Sequence, residues 1–204
     1  TVAITPGERA GKPSLDVETQ ARTNAFVDLF WSFRGTAKST MLADGLKPVQ
    51  FTYQRTMAGT PYLTWVDFDG ADDRARSVYM RGSKKKQFEV DARDVVDPIT
   101  AVFRARLSGA GPGDTRTYEV FTGEASYRIR LTIVAPDEVD VPAGHFRALR
   151  VVPEVWKITN SAQPDERLRG ATIWVADDPL RTLLRIRSEV FVGAVTLDLV
   201  KVDA

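Results

Sequence analysis

The stretch Tyr127–Trp156, YRIRLTIVAPDEVDVPAGHFRALRVVPEVW, decides the fold class. Tyr127, Ile129, Leu131 and Ile133 alternate with Arg128, Arg130 and Thr132. That is the period of a strand with one face in a core and the other in water. Ala135-Pro136-Asp137 is expected to break the run, and Val139 and Val141 to resume it. Pro142-Ala143-Gly144 then turns the chain into a long apolar strand from Phe146 to Trp156. A strand, a short strand and a long strand joined by tight turns make the centre of an antiparallel meander.

The same grammar extends in both directions. Leu15 to Ala21 alternates with polar residues and predicts a first strand. Ala37–Leu42 and Lys47–Met57 flank an Asp44-Gly45 turn, and Leu63–Phe68, Ala75–Met80 and Gln87–Val90 follow at intervals set by Gly-, Asp- and Pro-rich corners. Beyond Trp156, strands are expected at Leu168–Ala176, Arg181–Phe191 and Ala194–Val202. Turns that recur roughly every ten residues fit a meander.

The period changes twice. In Thr23–Gly35, Phe26, Leu29, Phe30 and Phe33 fall on one stripe of a helix, with Thr23 or Asn24 as cap and Gly35 as stop. In Asp97–Leu107, Asp97 caps, Pro98 takes the first helical position, and Ile99, Val102, Phe103 and Leu107 form the stripe. The expected architecture is mainly β: one large curled antiparallel sheet of about eleven strands, an open half-barrel, with these two short helices packed in its concavity. With no linker in view, residues 1–204 read as a single domain. Residues 1–12, with two Gly, one Pro and little periodicity, read as a mobile or loosely packed arm.

Composition narrows the function classes. Of the 204 residues 43% are hydrophobic and 27% charged, as in a globular protein, and the net charge of +1 gives no electrostatic case for nucleic acid. The absence of cysteine removes disulfides, thiolate metal sites and cysteine nucleophiles. The apolar runs are too short for a helical membrane span. Thr1–Ser14 has neither the basic nor the apolar part of a signal peptide, so export would need a leader ahead of Thr1.

Motifs for chemistry are sparse. His145 is the single histidine and sits beside a Pro-Ala-Gly turn, where a turn or surface role is expected. Neither a triad elbow nor a phosphate loop is present, and SGAGPGD lacks the lysine and the strand-turn-helix setting of one. No metal or cofactor is expected. Asp72-Asp73 and Asp177-Asp178 read as turns and Asp97 as a cap, which leaves Asp67, inside a strand, as the least explained carboxylate. Lys84-Lys85-Lys86 is a basic hairpin tip, either solvated or touching anionic head groups at a membrane surface. Aromatic residues concentrate early in the chain. Phe26, Phe30, Trp31, Phe33, Phe51, Tyr53 and Trp65 are the candidate ligand-binding residues, because a curved sheet with a wide apolar concavity suits an acyl chain.

Val141, Pro142, Ala143, Gly144 and Phe146, with Asp97-Pro98-Ile99 upstream and Trp174–Arg181 downstream, resemble the motifs of a bacterial exported family called domain of unknown function 3108. The likeness runs over roughly residues 35 to 203. It implies periplasmic or outer-membrane export and a curled antiparallel sheet. More distantly it implies the LolA-like lipoprotein-carrier fold, a half-barrel that holds acyl chains. It brings no catalytic residues. The function expected is a non-enzymatic envelope protein that holds a lipid or a lipidated partner. The alternatives are a polysaccharide-active enzyme using carboxylates such as Asp67, and a structural component with a filled core.

Overall fold

In the computed structural model the described residues are 1–22, 33–158, 166–167, 170–189 and 194–202. They form strands β1 (Val2–Arg9), β2 (Lys12–Arg22), β3 (Phe33–Leu42), β4 (Lys47–Met57), β5 (Thr60–Asp69), β6 (Arg74–Arg81), β7 (Lys84–Asp91) and β8 (Val95–Val96). Helix α1 (Pro98–Arg106) follows. The chain then continues through β9 (Thr115–Phe121), β10 (Ser126–Val141), β11 (Gly144–Ile158), β12 (Glu166–Arg167), β13 (Ala171–Ala176), β14 (Leu183–Glu189) and β15 (Ala194–Asp198). The mainly β class and the antiparallel pairing are as the alternation requires.

The strands divide between two sheets rather than running through one. Seven follow chain order, β1 to β7, and eight form the second, ordered β15-β14-β13-β11-β10-β9-β8 with β12 on β11. The expected single sheet of eleven strands is therefore corrected. The meander stops after β7, and β8 is hydrogen-bonded instead to β9. Turn spacing reports only neighbours in sequence; a pairing across a helix and a loop leaves no periodic mark. The first helix is corrected at its end: Phe33–Gly35 opens β3, and the rest of that stripe lies outside the described residues.

Contacts divide the chain into two compact units, Thr1–Ala101 with Val120–Ser126, and Val102–Glu119 with Tyr127–Ala204. In the first unit the hairpin corners have the residues that left-handed turns need. Ala58 (φ 46°) and Gly59 (φ 78°) join β4 to β5 with Met57 opposite Thr60, a two-residue loop. The Asp44–Leu46 corner is a 3-10 turn rather than the two-residue turn expected. Cross-strand rows then fix the faces. Val17, Ser39, Phe51, Val66 and Ser77 lie side by side on β2 to β6 and are all buried. Residues 1–12, read as an arm, are edge strand β1 and its turn; only Gly7 within β1 is even half-buried.

Two parts of the unit's own chain cover that buried row. The start of α1 is held by Asp97, whose Oδ1 accepts from the N–H groups of Ile99 (2.9 Å) and Thr100 (3.0 Å). Its Oδ2 accepts from the hydroxyls of Ser39 (3.0 Å) and Thr100 (2.5 Å). The cap read from the sequence is present. Because Asp97 is fully buried, desolvation pushes its carboxyl up against those four donors. Ile99, Thr100, Ala101 and Phe103 are buried, whereas Val102 and Leu107 of the expected stripe are exposed. The second cover is the tip of the β9–β10 hairpin, where the Gly123 carbonyl accepts from Ser77 Oγ at 2.6 Å.

In the second unit β10 runs unbroken for sixteen residues through Pro136, so the break expected at Ala135–Asp137 does not occur. Ile133 exchanges backbone hydrogen bonds with Gly113 and Asp114, just ahead of β9. From Val134 onward β10 has outrun that neighbour, and exposed Pro136 sits where a missing N–H is tolerated. Val139, Val141, Ala148, Ala176 and Leu184 form a buried cluster with Phe146 and Trp174 packed on it. A register shift between Trp174 and Val175 accompanies the seating of Leu184 there. Asp178 accepts from the Arg181 N–H at 2.8 Å and Asp177 pairs with the Arg181 guanidinium at 2.7 Å. Both are turn carboxylates, as the sequence indicates.

Candidate functional site

The rows of the seven-stranded sheet change character along its length. Toward the β4–β5 turn, the row next to Phe51 and Val66 consists of Ala37, Tyr53, Thr64 and Tyr79, and the following one of Gly35, Arg55, Tyr62 and Arg81. One face thus passes from a sealed, largely apolar row to a cationic and aromatic one within four residues of strand. The other face carries Thr36, Gln54, Leu63 and Met80 in one row and Thr52, Trp65 and Val78 in the next.

Arg55 is built into its place. Its Cζ lies 5.1 Å from the ring centroid of Tyr53 and 4.9 Å from that of Tyr62, and Arg81 stands over Tyr62 at 5.6 Å. Cations over aromatic faces are attracted by the ring quadrupole, more strongly as water is removed. Arg55 pairs with Glu124 at 3.8 Å, Arg55 being 25% and Glu124 43% exposed. At that distance the pair is a weak tie. Arg55 Nε is buried with no acceptor among the described residues. Burial, then the nearby Glu124 carboxylate, pushes the Tyr79 phenol up, so it stays protonated.

Beside this cluster, the ends of β3 to β6 enclose a depression of about 470 Å³. Residues from both faces line it: Gly35, Arg55 and Tyr62 from one, Thr36, Gln54, Leu63 and Met80 from the other, with Arg34, Thr56, Pro61 and Gly82 at the strand ends. Two guanidinium groups, the Tyr62 phenol, three further neutral polar side chains and the apolar Pro61, Leu63 and Met80 line it, with no carboxylate among the lining residues. Its volume lies in the range of small-molecule sites, roughly 300–1,000 Å³.

The residues singled out from the sequence are dispersed. Tyr53 belongs to the cluster under Arg55. Phe51, 3% exposed, is core. Trp65, 42% exposed, is on the opposite face, its Nε1–H donating to Asp67 Oδ2 at 2.8 Å. Phe33 is the first residue of β3, and Phe26, Phe30 and Trp31 lie outside the described residues. Asp67 is explained by its donors, Trp65 and Gln50 Nε2 (3.1 Å). Among the described residues no group of His, Asp or Glu is placed to hold a metal. Sequence reading missed Arg55, Tyr62 and Arg81; Arg55, a charge on the inward parity of a strand, was the available signal.

His145 is exposed in the second unit. Its Nδ1 is 2.8 Å from Asp140 Oδ1 and its Nε2 3.7 Å from Glu138 Oε2. The hydrogen bond and charge of Asp140 raise its pKa. That is a surface ion pair across a turn.

A family model described as Protein of unknown function (DUF3108) matches residues 1–200. The chain belongs to that family. No curated protein matches it. Among solved structures, it is similar to a presumed lipoprotein of Parabacteroides distasonis, at 9% identity and a TM-score of 0.33, over 98% of this chain and 93% of that one. It is also similar to a presumed exported protein with a YmcC-like fold from Bacteroides fragilis, at 12% identity and a TM-score of 0.30, over 95% and 90% of the two chains. The site of this DUF3108 member is therefore read from its own residues.

Proposed function

We propose that this DUF3108 member is a non-enzymatic protein of the bacterial cell envelope that binds an amphiphile, a lipid or the lipidated segment of a partner. One observation carries the reading: the depression at the ends of β3 to β6 is lined by apolar Pro61, Leu63 and Met80 together with the guanidinium groups of Arg34 and Arg55 and neutral polar side chains. An apolar ligand without a head group would cover the Arg55 guanidinium without offering it an acceptor, which is costly. A simple polar solute would gain nothing from Pro61, Leu63 and Met80.

Native mass spectrometry of the protein purified without detergent tests this directly. The expected result is a co-purifying lipid mass that is depleted in Leu63→Asp, with the wild type recovered from the envelope fraction of cells. Recovery of both proteins free of any adduct would remove the reading. It would favour a structural envelope component, which one observation supports: the row from Val17 to Ser77 is sealed by the chain itself. A carboxylate enzyme would instead show polysaccharide cleavage lost in Asp67→Asn.

A further inference from the structure

We propose that Arg55 is the head-group determinant of this site, that it selects an anionic amphiphile, and that Glu124 is the internal carboxylate the ligand's anion replaces. The inference rests on the amphiphile reading above and specifies its ligand class.

Three features of Arg55 point the same way. First, its guanidinium is oriented before any ligand arrives, because Tyr53 and Tyr62 both lie within 5.1 Å of it. A planar cation fixed between rings loses little rotamer freedom when it binds, and its parallel N–H groups match the oxygens of a carboxylate or phosphate. Second, its demand for acceptors is unmet: Nε has none and Glu124 approaches only to 3.8 Å, longer than a charge-assisted hydrogen bond of about 2.7–2.9 Å. Third, Glu124 is 43% exposed, so water takes up the carboxylate when Arg55 turns to a ligand. The replacement thus exchanges a long, half-exposed ion pair for close contacts, and the displaced carboxylate is solvated rather than buried.

The surrounding charge agrees. Arg81 shares the Tyr62 ring with Arg55. Arg34 is the second guanidinium of the lining, and the neutral donors Thr36, Gln54 and Thr56 complete the wall. Zwitterionic head groups carry a cation that this wall has no carboxylate to receive. Selection therefore rests on repulsion of the wrong head group as well as attraction of the right one.

The experiment is isothermal titration of the full chain with water-soluble short-chain lipids of matched tails: a phosphatidylglycerol, a phosphatidic acid and a phosphatidylcholine, alongside inorganic phosphate. The two anionic lipids are expected to bind at least ten-fold more tightly than the phosphatidylcholine, and inorganic phosphate weakly. Arg55→Gln is expected to abolish the preference. Glu124→Gln, which removes the internal competitor, should tighten the anionic lipids about two- to five-fold, the scale of a half-exposed ion pair. Equal binding of all three lipids would overturn the selection and leave the amphiphile site standing. Phosphate as tight as the anionic lipids would keep the anion site but overturn its use for an amphiphile. No binding of any lipid would remove both. Because Arg55→Gln could disturb packing, far-ultraviolet circular dichroism of both variants accompanies the titration. A weaker anionic response in Glu124→Gln would by itself count against the replacement.

Discussion

Gly123 shows how one backbone position ties a hairpin to a sheet. Its φ of +86° lies in the left-handed region, and a Cβ there would stand 2.2 Å from Thr64 Cγ2 and 2.8 Å from Val66 Cγ2. Both neighbours are buried, so neither has room to move. Gly123→Ala should cost about 2–5 kcal/mol, combining the left-handed strain of a Cβ with overpacking of a closed core. Urea unfolding checks this; a loss below about 0.5 kcal/mol would mean the tip does not dock as described. His145 offers the opposite case, an exposed group with an electrostatic signature only. Asp140 raises its folded pKa above the ordinary 6.5. The stabilisation this gives is fully present below pH 6.5 and is lost as pH climbs through the raised value. Titration of the imidazole resonances should place its midpoint above 6.5 in the wild type and return it toward 6.5 in Asp140→Asn. An identical midpoint in the two proteins would show that the pair does not form in solution.

At the level of elements, legibility followed the range of the interaction that makes each one. Lys47–Met57 was read with its final boundaries, since alternation and a tight turn are properties of ten adjacent residues. Helix α1 was legible from Asp97-Pro98, because a cap acts over three residues. Its buried face was only half legible: Ile99 and Phe103 are covered, Val102 and Leu107 are not, and what covers a helix is decided by residues far away in sequence. Pro136 marks the same limit. A proline reads as a strand breaker unless the neighbouring strand is known to have ended, and the end of β9 beside Ile133 is a tertiary fact. The site divides likewise. Tyr53 could be found by counting aromatics. Arg55 becomes meaningful only when register sets it beside Tyr62, and Tyr62 beside Arg81. The basic run Lys84–Lys86 has a plain account at this scale as well: it lies on β7, the last strand of its sheet, where exposed lysines discourage pairing with a second chain.

For the molecule as a whole, the two sheets recast the question of where a greasy ligand could go. A single curled sheet with an empty concavity would offer its whole inner face. Here the row from Val17 to Ser77 is covered by the chain's own helix start and hairpin tip, and a depression lined by apolar and cationic residues lies at the ends of β3 to β6. Binding at the rim of a finished core has a thermodynamic consequence. The proposed ligand is not needed to complete the fold, so it would act by mass action on the native state, by RT ln(1 + [L]/Kd). With an anionic short-chain lipid at a hundred times its Kd, that is about 2.7 kcal/mol. For a chain of this size, the same quantity amounts to a rise in Tm of about 5–10 °C in the transition that melts the seven-stranded sheet. Scanning calorimetry with and without lipid measures it. A ligand that instead filled the core would leave the lipid-free protein without a cooperative transition for that sheet. A sharp lipid-free transition that lipid moves upward in the wild type, but not in Arg55→Gln, is therefore the outcome expected of a rim site. The absence of any lipid-free transition would place the ligand inside the core.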